Sequence, residues 1–161
     1  MRYGNPSIKS ALENFKDQNI NRLAIIPMFP QYSAATTASI FDKVTFEIQK
    51  WRNIPDIRFL STYHDNPAYI SACSNKIKSF WEKEEKSEKL VFSFHGLPQV
   101  NLHKGDPYHC YCHKTARMIA SELGKKLLIG FVVKIKEQNN AIEVIKKSLN
   151  AYKCFLLDGV T

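Results

Sequence analysis

The chain has 161 residues, 44% of them hydrophobic and 24% charged, the size of one ordinary domain or of one and a half small α/β units with enough apolar surface for a core. These proportions exclude the disordered, collagen-like and disulfide-scaffold classes, and four cysteines (Cys73, Cys110, Cys112, Cys154) in a chain this long suit a reducing cytoplasm. Twenty-three Lys and Arg against fifteen Asp and Glu leave a formal charge of +8, which favours anionic partners. The basic residues are dispersed, with no basic stripe carrying interleaved aromatics, so no nucleic-acid partner is expected. No run approaches the roughly 18 apolar residues of a membrane span, and residues 1–22 hold no apolar signal core. A cytoplasmic protein is expected.

In chain order, the apolar period alternates between helix and strand. Ile8, Ala11, Leu12 and Phe15 follow helical spacing after a Pro6-Ser7 start signal. Leu23–Phe29 reads as a short buried strand, and Phe41, Val44, Ile48 and Trp51 as a second helical stripe. Ile57–Thr62 is the next strand, and Tyr69, Cys73, Ile77 and Phe80 the third stripe, after Pro67. Lys83–Lys89 is charged and aperiodic, a linker candidate between two sheet-bearing units. Leu90–Phe94 is the third strand. Cys112, Ala116, Ile119, Ala120 and Leu123 form the fourth stripe, closed by Gly124, and Leu127–Val133 is the fourth strand. Ile142, Ile145, Leu149 and Tyr152 make a weaker fifth stripe before a strand at Cys154–Leu157. The strands start about 35 residues apart, close to the span of a βαβ unit. The fold class is therefore α/β, a parallel sheet flanked by helices.

In such sheets, ligands bind where the chain leaves the C-terminal ends of the strands. His95 follows a buried strand there, and Gly96 and Pro98 fix a tight exit. An imidazole so held takes up a proton or binds a metal at neutral pH; the plainer reading is a hydrogen-bonded loop histidine. The hydroxyls of Tyr32, Ser33, Thr36, Thr37 and Ser39 line a polar pocket or cap the following helix, and capping needs only one or two of them. His109-Cys110-Tyr111-Cys112-His113 looks like a metal cluster, yet on a helix residues two apart diverge by about 200°. Cys110 and Cys112 then cannot share an ion, and Cys112 continues an apolar stripe. His109 and His113 share a face, but two ligands make an incomplete site. Arg2 and Tyr3 suit a carboxylate-bearing ligand or are frayed. His64 and His103 read as surface residues. Catalytic triads, P-loops and glycine-rich dinucleotide fingerprints are absent.

Four stretches, in order, resemble the ferrochelatase family. Met1-Arg2-Tyr3-Gly4-Asn5-Pro6-Ser7 is similar to its M-R-Y-x-x-P-S segment, and Pro30-Gln31-Tyr32-Ser33-Ala34-Ala35-Thr36-Thr37-Ala38-Ser39 to its P-Q-Y-S-x-x-T-T-x-S stretch. Ser93-Phe94-His95-Gly96-Leu97-Pro98 resembles its S-x-H-[GS]-[LI]-P signature, and Gly105-Asp106-Pro107-Tyr108 follows as the family's G-D-P-Y does. The resemblance implies a chelatase-like fold of two Rossmann-like halves with a porphyrin cleft between them. Residues 1–85 would be the remainder of the first half and 86–161 the start of the second, with a divergent tail from about 124.

The resemblance further implies insertion of ferrous iron into a porphyrin during haem formation. His95 takes the catalytic role, as iron ligand, acceptor of pyrrole protons, or both, and Tyr32 a substrate-binding one. Iron is then a substrate, and no cofactor is firmly implied. Porphyrin and ferrous iron are the expected partners, with peripheral contact at the inner membrane surface and a second chain completing the site as further expectations. Family chains are about twice as long, and Met1 falls inside a family motif, so an earlier strand is expected to be missing. The F-Q-S-R-F-G segment and the later Glu-bearing segment are not found after about Leu123. Phe131–Gln138 reads as a frameshifted echo, and Glu137 and Glu143 lie in no matching motif. An impaired enzyme is expected, beside two other readings: a non-catalytic module binding porphyrin, haem or metal, and an inactive gene remnant.

Overall fold

A computed structural model describes residues 4–84 and 89–132. Helix α1 (Ile8–Asp17) leads to strand β1 (Arg22–Ile25), then a π-helical turn (Ala34–Ala38) runs directly into α2 (Ser39–Ile48). Strand β2 (Asp56–Phe59), α3 (Pro67–Trp81), β3 (Lys89–His95), α4 (Gln99–His103), α5 (Tyr108–Glu122) and β4 (Lys126–Val132) follow. The described residues form two compact units that divide between Tyr63 and His64, each built on a two-stranded parallel sheet.

In the first unit β1 pairs with β2 from Arg22 opposite Asp56 to Ile25 opposite Phe59. Helix α1 starts where Ser7 Oγ accepts the Ser10 N–H at 3.0 Å, a cap that satisfies one of the free donors of the first turn. Leu12, Leu23, Val44 and Ile48 are buried together, with Ile8, Ile20, Ile25, Ile40, Trp51 and Ile57 packed against them. Glu47 is buried beside this core. Its carboxylate accepts from Lys43 Nζ at 2.6 Å and from Lys50 Nζ at 2.7 Å. These two ammonium groups hold the Glu47 carboxyl at about 2, and the Lys50 ammonium also lies 4.1 Å from the Phe46 ring centre.

In the second unit β3 pairs with β4 from Lys89 opposite Lys126 to His95 opposite Val132. Asn66 caps α3, its Oδ1 accepting from the N–H groups of Ala68 and Tyr69, and Pro67 sets the first turn. Just past the end of helix α5, Gly124 takes the left-handed φ of 62°. There the Lys125 N–H reaches the Ala120 carbonyl and the Gly124 N–H the Ser121 carbonyl, the double closure that favours glycine after a helix. Ile70, Ile77, Leu90, Phe92, Ala116, Ile119 and Ala120 form the core. Helix α3 thus shares its core with β3.

The parallel α/β expectation is met, and four strands and four amphipathic helices stand close to their expected places. Strand β1 is shorter than the apolar run because Pro27 has no N–H for a ladder. Phe15, Phe41 and Phe80 carry helical spacing yet are 40%, 47% and 39% exposed, since two-stranded sheets cover only the centre of each stripe. Phe41 instead meets Phe59 edge to face, ring centres 5.2 Å apart. Helix α4 lies just past the His95–Pro98 loop, in a stretch to which the sequence reading assigns no element. Arg2, Tyr3, the fifth stripe, the strand at Cys154–Leu157, Glu137 and Glu143 lie outside the described residues. Among the described residues no helix is long and apolar enough to cross a membrane.

Ile77 has no exposed surface, so Ile77→Ala is expected to cost about 2–5 kcal/mol through a cavity in the core of the second unit. Phe80→Ala, one turn away and open to water, should cost well under that in the same urea titration.

Candidate functional site

Each unit presents one of the motif-bearing loops at the C-terminal end of a parallel strand. In the first, the Pro30 carbonyl accepts from the Tyr63 N–H at 3.0 Å and from Thr62 Oγ1 at 2.8 Å, tying the exit of β1 to that of β2. Tyr32 stands half-buried in that exit, directly before fully buried Ser33. Ser33 Oγ accepts the Ala35 N–H at 3.2 Å, and Ser39 Oγ donates to the Thr36 carbonyl at 2.7 Å. Capping therefore accounts for the Ser33 hydroxyl, and the Ser39 hydroxyl turns back to a carbonyl of the π-helical turn. Thr37 Oγ1 is buried without a hydrogen-bond partner among the described residues. It sits in the π-helical turn, a widened geometry that is frequent at functional sites. Ile26, Met28 and Leu60 flank the exit with 58%, 73% and 42% of their surface open, an apolar rim.

In the second unit His95 is the last residue of β3, in register with Val132, and its side chain is exposed. The strand fixes its backbone while the imidazole faces water, the combination a positioned acid–base or metal-binding group requires. The Tyr108 hydroxyl adds a second hold, hydrogen-bonding to the backbone of His95 and to the side chain of Cys112. Burial first, and the neighbouring Cys112 next, raise the Tyr108 phenol well above its usual range, so it stays a neutral hydrogen-bonding group. The turn ahead of it explains the G-D-P-Y spacing. Gly105 takes φ of 87°, a region that disfavours side chains. Asp106 Oδ1 then accepts the Tyr108 N–H at 3.0 Å, and α5 starts.

The Cys110–Cys112 pair divides as helical geometry dictates. Cys112 is fully buried, its thiol pushed up to about 12 by burial, which removes it as a thiolate ligand. Cys110 is exposed. The rings of His109 and His113 lie 4.5 Å apart between centres. Burial, then the charges of His109 and Arg117, lower the His113 imidazole below its usual range. No group of three His, Cys, Asp or Glu side chains among the described residues is arranged to hold a metal.

His64, read from the sequence as a surface residue, is only 4% exposed. Its ring stacks on Tyr111 at 3.7 Å between centres and 10° between planes. Its carbonyl accepts from Thr115 Oγ1 at 2.7 Å, and next to it Asp65 binds Lys114 Nζ at 2.6 Å. Three residues of α5 thereby fasten the start of the second unit. The available signal was its place two residues before the Asn66-Pro67 helix start, where a chain must dock. The bracing role of Tyr108 was likewise missed, although its motif was not.

Parallel strands with loops at their C-terminal exits define an α/β protein of the kind in which ligands bind at such exits. The sequence profile described as Ferrochelatase matches residues 1–138, past the point near Leu123 where the recognisable motifs stop. The chain is 49% identical over 124 residues to ferrochelatase 2 of Shewanella oneidensis, covering 77% of this chain and 38% of the relative. It is 52% identical to the ferrochelatase of Marinobacter nauticus, covering 77% and 34%, and 42% identical to that of an Azoarcus species over 134 residues, covering 81% and 37%. The chain belongs to the ferrochelatase family. It spans about a third of the length of these curated relatives.

Burial lowers the His64 imidazole, outweighing the raising effect of Asp65, while Lys114 lowers it further. The native state then resists a proton that the unfolded chain accepts below about pH 6.5. Stability is expected to be full above that pH and to fall as pH drops through it. Thermal unfolding between pH 7.5 and 5.5 should show the loss, and His64→Phe, which keeps an aromatic ring on Tyr111, should flatten it to the part contributed by His113. An unchanged slope would contradict the assignment.

Proposed function

We propose that this chain carries part of a ferrochelatase-type site that inserts ferrous iron into a porphyrin, with His95 as the reactive side chain and Tyr32 as a porphyrin contact. The supporting observation is His95 itself, an exposed imidazole on the paired end of a buried strand with Tyr108 bracing its backbone. Insertion exchanges two pyrrole protons for one divalent ion. It also requires bending a flat macrocycle so that a nitrogen lone pair faces the metal. A neutral imidazole held on a rigid element accepts such a proton or ligates the ion, and imidazole suits ferrous iron.

The two sheets are read as the remainder of a first Rossmann-like half and the start of a second. The sequence boundary near residue 85 then assigns α3 to the first half by order and to the second by packing. The charge of +8 supports a substrate with propionate arms and peripheral contact with an anionic membrane surface facing the cytoplasm. A second chain is the proposed source of further parts of the site. Turnover by these 161 residues alone is expected to be low, since they span about a third of their relatives.

The test incubates the purified chain with porphyrin and zinc or ferrous iron and follows metalation by absorbance, with porphyrin binding measured alongside. His95→Ala is expected to reduce metalation by about 100-fold or more, the scale of one lost acid–base group. Equal rates in both proteins would overturn the role of His95. Tight porphyrin binding without turnover in the unsubstituted chain would favour a non-catalytic binding module.

A further inference from the structure

One pair of potential ligands lies apart from His95 and plays no part in the proposed reaction. His109 and His113 stand one turn apart on α5, their ring centres 4.5 Å from each other and their planes inclined by 53°. Side chains four residues apart project from the same helical face. A transition-metal ion bound by two imidazoles holds each nitrogen at about 2.0–2.1 Å. Rings already this close reach such an arrangement through small side-chain rotations, without moving the helix. His109 is exposed and His113 half-buried, so an ion arriving from water meets the first ring directly and the second at the edge of the protein.

We propose that His109 and His113 form a two-imidazole chelate for a borderline divalent transition metal such as zinc. Imidazole ligands favour this class of ion over magnesium or calcium, which prefer carboxylate and carbonyl oxygens. No third ligating side chain among the described residues completes the set, so water fills the remaining positions and the ion stays exchangeable. Two local fields oppose the cation: the positive end of α5, on whose second residue His109 stands, and the Arg117 guanidinium one turn beyond His113. They make the site weak as well as exchangeable, the character of a docking point and not of a structural metal centre. The inference stands on the helix geometry alone and holds whether or not the chain metalates a porphyrin.

The experiment titrates zinc chloride, without porphyrin, into the full 161-residue chain carrying His95→Ala, so that binding at the strand end does not contribute. Calorimetry reads the affinity, and circular dichroism checks that each variant keeps its helix content. The His95→Ala chain is expected to bind zinc saturably. Adding either His109→Ala or His113→Ala should weaken that binding at least tenfold, and adding His103→Ala, on the neighbouring short helix, should leave it within twofold. Absence of zinc binding by the His95→Ala chain, or a loss smaller than tenfold in either added variant, would overturn the proposal. Equal losses from His103→Ala would also overturn it, because binding would then follow histidine content and not the spacing on α5.

Discussion

The pairing of β3 with β4 is the constraint on which the second unit depends. Seven residues of each strand lie in register, and the faces of Leu90 and Phe92 are closed by Ile70 and Ile77 from α3 and by Ala116, Ile119 and Ala120 from α5. A two-stranded sheet is marginal in water by itself; here the helices supply the buried area that makes it persist. Because the last pair of that ladder is His95 with Val132, the ladder ends at the residue proposed to be reactive. Rigidity and exposure meet at one residue.

The loops around that strand end are organised by small, local devices. Gly105 turns the chain, Asp106 accepts the N–H of Tyr108 at the start of α5, and Tyr108 reaches back to the His95 backbone. His64, Asp65, Tyr111, Lys114 and Thr115 fasten the entry to the same helix. Helix α5 is thus held at its first turns by contacts from both sides, which explains why so many of its polar residues serve structure. The first unit uses another device for its own exit. Pro30 is tied to Thr62 and Tyr63, and Ser33 caps a π-helical turn. Both arrangements spend polar side chains on the backbone, Ser33 and Asp106 accepting from N–H groups and Thr62 and Thr115 donating to carbonyls, and each such bond contributes about 1 kcal/mol.

Much of this was legible because the strongest signals are periodic or motif-borne. The stripes through Leu12, Val44, Ile77 and Ala116 mark the faces that are buried, and the strand-then-loop pattern placed His95 at a sheet end. Burial of Cys112 and exposure of Cys110 followed from helical geometry alone. What escaped depended on tertiary contact. Phe15, Phe41 and Phe80 obey the helical period, but a stripe does not say how wide its partner sheet is. His64 has no apolar pattern around it, and its burial comes from stacking on a residue 47 positions away in sequence, Tyr111. The hydroxyls of Ser33 and Ser39 gave no sign of whether they would turn to a ligand or to the backbone; only geometry separates the two.

The central claim is that the strand ladder and Tyr108 hold the His95 backbone rigid while its imidazole remains in water. Amide hydrogen exchange resolved along residues 90–95 tests it most directly. The account predicts that the ladder amides of β3 and the His95 amide exchange slowly, at rates that rise only with denaturant concentrations that loosen the whole unit. It also predicts that Tyr108→Phe speeds exchange at His95 more than at Leu90 or Phe92. Exchange of the His95 amide at the rate of an open loop in the unsubstituted chain would contradict it, and would leave the imidazole on a mobile segment unsuited to either task assigned to it.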